Sequence, residues 1–212
     1  METNKLLPLS GIAFVALVVL AIPVLGWGSP SSTTAPAEVV AYYQEHNAEQ
    51  FVASIVIAAS VPFLVLFALG LSAARSTQGG RSTWQRMLVG GSFVTGAVLL
   101  VIAMTNFALA DGADNGASAD AIQALNLIIG NAWVGLNAGL GVLMLGAAGT
   151  FLSRPRSGWI GWTALVLGVA LFIPIADFFA LLLTGPWMIA TGVALSRRSE
   201  QRHIAHAAPS LT

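Results

Sequence analysis

Basic and acidic residues occupy alternate gaps between long apolar stretches in this chain of 212 residues. Lys5 precedes the first stretch. Arg75, Arg81 and Arg86 lie between the second and third, Arg154 and Arg156 between the fourth and fifth, and Arg197, Arg198 and Arg202 follow the last. The other gaps carry Glu38, Glu45, Glu49, Asp111, Asp114 and Asp120, with no Lys or Arg. Basic residues gather on the cytoplasmic side of multi-pass proteins. The alternation therefore predicts an all-α polytopic membrane protein with cytoplasmic N- and C-termini. Composition agrees, with 8% charged and 56% apolar residues, against roughly a quarter charged in soluble domains.

A helix crosses a hydrocarbon core in about 20 residues, which gives spans of about 6–27, 51–74, 87–110, 127–152, 159–176 and 177–196 in a single domain, 1–212. The last two follow from parity. Arg154/Arg156 and Arg197/Arg198 belong on one side, so an even number of crossings separates them, with an outer turn near Pro174–Asp177. The first span begins like a secretory signal followed by Ala35-Pro36-Ala37, but its 22 residues exceed the 7–15 of a signal's apolar region. It reads as an uncleaved helix. Pro36 can open a short surface helix that puts Val39, Val40 and Tyr43 on one face. The apolar pattern from Ala121 to Leu152 is too long for one perpendicular crossing, so its first turns stand outside the membrane or tilt. Residues 199–212 read as a disordered tail.

The residues that could form a site are few. Asp177 is the one acid within the apolar stretches, and intramembrane carboxylates often couple to cations or protons. Counting from Arg197 at about 1.5 Å per residue places it roughly 30 Å away, at the outer boundary, where it can cap the last helix. Pro186, in the run Thr184-Gly185-Pro186-Trp187, falls roughly 16 Å from Arg197, near the midplane. Proline deletes a backbone donor and kinks a helix, and broken helices can expose binding groups in transporters. Trp187 is the one tryptophan expected near mid-depth. Asn106, Asn131, Asn137 and Asp177 map to the outer half, where they either line an outward-open pocket or stitch helices together. Asn137 is deeper than Asn131. The fourth span carries Gly135, Ala138, Gly139, Val142, Gly146 and Gly149 at three- and four-residue steps, a packing seam in lipid. The third offers Ser92, Gly96, Ala103 and Asn106 as its counterpart.

Other chemistry finds no residues to carry it. The chain lacks cysteine, which removes disulfides and thiolate metal sites. The loop Asp111–Asp120 has Ala113 and Ile122 where a calcium loop needs ligands at its third and twelfth positions. No catalytic residue, cofactor or metal is expected, and the zero net charge gives no basic surface for nucleic acid. The expected partners are the lipid bilayer and either another membrane protein or a second copy of this chain. The expected function is non-enzymatic, an accessory or interaction role. The alternative is a small-solute transporter or ligand-binding protein using Asp177, Thr184, Pro186, Trp187, Asn137, Asn131 and Asn106.

The run Pro36–Tyr43 (PAEVVAYY), followed by a hydrophobic helix ending Leu71-Ser72-Ala73-Ala74-Arg75, resembles a group of actinobacterial-type bacterial membrane proteins of unknown function. So does Gly158-Trp159-Ile160-Gly161-Trp162 after a short basic loop, with a last helix ending in arginines. The resemblance implies six transmembrane helices in a bacterial cell membrane. It transfers no activity and no site.

Overall fold

The structure is a computed structural model that describes residues 7–26, 28–74, 82–153 and 158–207, apart from the side chains of 22–26 and 198–207. Lys5, Leu6, Trp27, Arg75, Arg81, Arg154, Arg156 and the last five residues of the expected tail lie outside the described residues. Every element is helical: a 3₁₀ turn Leu7–Leu9, then α1 (Ser10–Gly26), α2 (Pro36–Glu45), α3 (Asn47–Ala73), α4 (Thr83–Asp114), α5 (Ala119–Leu152), α6 (Gly158–Ala170) and α7 (Ala176–Ala207). Four helices, α3, α4, α5 and α7, are long and apolar enough to cross a membrane, while the stretches Leu7–Ala21 and Gly158–Ala170 are apolar but shorter. This is an all-α fold of membrane-protein type.

Local sequence explains where the helices begin. Ser82 caps α4 by accepting from the Gln85 amide at 3.3 Å, and the Gln85 side chain accepts from the Ser82 amide at 2.7 Å. That reciprocal pair satisfies two donors that a helix N-terminus leaves open. The same Gln85 side chain donates to the Ser72 carbonyl at 2.9 Å, joining the end of α3 to the start of α4. Ser118 accepts from the Ala121 amide at the start of α5. Before it, Gly116 takes φ +75°, a backbone region that glycine enters without steric penalty.

The six longer apolar helices pack in a ring, α1–α3–α4–α5–α6–α7 and back to α1. The closest contact is between α4 and α5, along the glycine seam. A side chain at Gly139 would strike Thr95, and one at Gly135 or Gly146 would press on Val98 or the Leu88 backbone. The counterpart on α4 differs from the expected one. Gly96 faces Val61 of α3, and Asn106 bonds to α3; the seam belongs instead to Gly91, against Leu143, and to Thr95. Spacing on α4 identifies small residues but not which of two neighbouring helices each one meets.

With 32 and 34 residues, α4 and α5 run roughly 48 and 51 Å, well beyond a core about 30 Å thick. Their ends at the α4–α5 turn carry α2, whose Val39 and Tyr43 are buried with Leu109, Ala113 and Ile122 in a second apolar cluster. Side-chain amides tie this cap together. Gln44 donates to the Ala113 carbonyl and Asn47 to that of Ala110, while Gln123 and Asn126 donate to the carbonyls of Ser32 and Ser31.

Two boundaries differ from the sequence reading. The expected fifth span, 159–176, is a helix of only 13 residues followed by an irregular turn at 171–175. The last helix does not stop at Ser196. It continues to Ala207, so that residues 199–207 are helical rather than a disordered tail.

Candidate functional site

Asp177 and Asn137 meet. The Asn137 Nδ2 donates to Asp177 Oδ2 at 3.0 Å, joining α5 to the second residue of α7. The other carboxylate oxygen accepts from the Phe178 amide at 2.8 Å, at the end of the helix where amides lack backbone partners. Asn137 is 6% exposed, and its Oδ1 is buried without a hydrogen-bond partner.

Asp177 opens α7, whose apolar part, Ala176–Arg197, is 22 residues long and apolar enough to cross a membrane. The bond sets the carboxylate beside Asn137, ten residues past position 127 and about 15 Å along α5. Towards the other end of that apolar part, an added Cβ at Gly192 would strike the Pro8 carbonyl at the start of the first apolar stretch.

The turn ahead of Asp177 is strained and apolar. Ile175 has φ +76°, the one residue besides glycine in the left-handed region among those described, and a β-branched side chain resists that conformation. Its side chain is 85% exposed, and Phe172, Ile173, Phe178 and Phe179 are exposed around it. Phe172 also covers Gly141 of α5. The tip of the α6–α7 hairpin thus stands level with residues 137–141 of α5.

The other expected site residues separate from this pair. The Thr184 hydroxyl is buried and donates to the Ala180 carbonyl at 2.8 Å within its own helix. Trp187 is buried against Phe67, and its indole N–H donates to the Thr163 hydroxyl at 3.0 Å. Thr163 follows Trp162 directly and lies one turn from Trp159 on α6. Pro186 is exposed, and α7 remains helical across it.

Pro186 and Trp187 instead line a groove between α6 and α7 of about 520 Å³, with walls that include Trp162, Val166 and Leu183. Asn106 is buried and donates to Gln50 Oε1 at 2.8 Å and to Ser54 Oγ at 3.1 Å, stitching α4 to α3. Asn131 is exposed and bonds only along its own helix, to the Leu127 carbonyl. Gln50, Ser54 and Thr163 are the polar residues that sequence reasoning passed over. Each is a polar residue in or beside an apolar stretch, a signal that was available but gave no partner.

Among the described residues, no group of three or more His, Asp or Glu side chains is arranged to hold a metal ion. No family model, curated protein or solved structure matches the chain.

Proposed function

We propose that the chain is a non-enzymatic integral membrane protein of the bacterial cell membrane, of the actinobacterial type it resembles, acting as an accessory to a membrane protein partner or to a second copy of itself. Six helices enter the bilayer, and both termini are cytoplasmic. In this reading α1, α3, α4 and α5 cross. The α6–α7 hairpin enters from the inner side and turns back before the outer boundary, as its exposed apolar tip favours. The parity of the basic clusters is the same either way.

The carrying observation is where the candidate polar groups direct their hydrogen bonds. Asn106 and Trp187 bond to neighbouring helices, and Thr184 bonds within its own. The groove beside Pro186 opens to apolar walls rather than to these polar groups. Such an arrangement holds helices together.

A second reading rests on one specific feature, the partnerless Oδ1 of Asn137 beside a carboxylate within the membrane belt. That pair is a coupling site for a proton or small cation if the protein transports. One experiment separates the readings. Wild type, Asp177→Asn and Pro186→Ala are compared for melting in detergent and for proton and sodium flux in liposomes. The accessory reading expects Asp177→Asn to melt earlier, Pro186→Ala, at an exposed proline within a continuous helix, to melt no earlier than wild type, and the wild type to carry no flux. Flux in the wild type that Asp177→Asn abolishes, with melting unchanged, would establish the transporter instead.

A further inference from the structure

We propose that the groove between α6 and α7 binds one anionic phospholipid, an acyl chain lying along Val166, Leu183 and Pro186 and the phosphate meeting Arg197. The groove holds about 520 Å³, and its one hydroxyl has partners already. Thr163 Oγ1 donates to the Trp159 carbonyl at 2.6 Å and accepts from the Trp187 indole. The walls therefore ask nothing polar of an occupant.

Their shape selects among apolar occupants. Helices dock in lipid where small residues let backbones approach, whereas this groove is walled mainly by Trp159, Trp162, Val166, Leu183 and Pro186, with Thr163 and Ala190 its two small residues. An irregular, bulky-walled groove fits a flexible chain better than a second helix.

Charge sets the headgroup. Leu183, Ala190 and Arg197 follow one another at seven-residue steps, which puts them on one face of α7 two turns apart. Arg197 is exposed at the end of that face, on the side where the basic residues of the chain collect. The cytoplasmic leaflet supplies anionic headgroups, and a basic residue at its surface favours them by about fivefold.

The test uses the full chain in detergent with phosphatidylglycerol and phosphatidylcholine of identical acyl composition, read by native mass spectrometry. The wild type should retain one phosphatidylglycerol in about fivefold preference. Arg197→Gln should lose the preference while retaining both lipids equally. Ala190→Phe, which fills an exposed part of the groove, should lose both lipids without a change in melting temperature. Equal retention of the two lipids by the wild type, an undiminished preference in Arg197→Gln, or undiminished retention in Ala190→Phe would each overturn the proposal. So would a wild-type dimer that Ala190→Phe dissociates, because a second copy would then occupy the groove.

Discussion

Gly90 and Gly91 are adjacent on α4, and replacing each with alanine should change stability in opposite directions. At Gly91 a Cβ would stand 2.6 Å from the Leu143 Cα, about 0.8 Å short of the 3.4 Å at which ordinary contact begins. The obstructing atoms are backbone, so α5 itself must retreat. That movement would loosen the neighbouring close approaches at Gly139 and Gly146. Overpacking of this kind costs about 1–3 kcal/mol. At Gly90 a Cβ meets nothing within 4 Å, and alanine gains up to about 1 kcal/mol of helix propensity. Because both substitutions make the same chemical change on the same helix, propensity cancels in the comparison and only the seam remains. At about 2–4 °C per kcal/mol for a chain of this size, Gly91→Ala should melt roughly 2–12 °C below Gly90→Ala. Gly90→Ala should melt no more than about 4 °C above wild type. Thermal melting by circular dichroism in detergent measures both. Equal shifts, or a Gly91→Ala protein as stable as wild type, would refute the close α4–α5 approach.

Asn106→Leu removes the bonds to Gln50 and Ser54 and should cost about 1–2 kcal/mol. Asn131→Leu, which loses only a bond on its own exposed face, should stay within about 0.5 kcal/mol of wild type in the same melts. Ile175→Gly releases a β-branched residue from φ +76° and should raise stability by about 1 kcal/mol, since the left-handed region costs such residues about 1–2 kcal/mol. Burial, with the neighbouring Tyr42 adding, holds the Tyr43 phenol well above its ordinary value of 10.0. The folded state therefore keeps a proton that the unfolded state releases, so this contribution is complete below pH 10 and declines as pH rises further. Tyr43→Phe should flatten the alkaline decline in melting temperature above pH 10.

Some of this architecture is legible in the sequence because it depends on one helix at a time. The stripe from Gly135 to Gly149 follows from three- and four-residue spacing alone, and α5 does turn these residues to its neighbours. The face of α2 that buries Val39 and Tyr43 is legible in the same way. What spacing does not contain is register between helices. Gly91 and Gly96 are equally small, and only the crossing of α3, α4 and α5 decides that one meets Leu143 and the other Val61. The Asp177–Asn137 bond links residues 40 apart in sequence, so no count along either helix could have paired them. A basic cluster, likewise, marks the side of the membrane on which it lies and not how far a helix reaches into it.

That distinction bears on the hairpin. The even number of crossings between Arg154/Arg156 and Arg197/Arg198 fixes a side, and it is satisfied equally by a hairpin that crosses twice and by one that turns back inside. We infer the second arrangement from the 13-residue length of α6 and the position of Phe172 and Asp177 beside Gly141 and Asn137, although α7 alone is long and apolar enough to cross. Since the chain has no cysteine, single substitutions can decide between them. Ala117 lies exposed in the outer α4–α5 turn, and Ile175 is 85% exposed at the hairpin tip. In sealed vesicles, Ala117→Cys should react with a membrane-impermeant maleimide added from outside. Ile175→Cys should stay unreactive from either side, and should react readily once detergent replaces the bilayer. If Ile175→Cys reacts from outside at the rate of Ala117→Cys, the hairpin crosses fully. Asp177, two residues beyond it, would then stand near water rather than within the apolar belt.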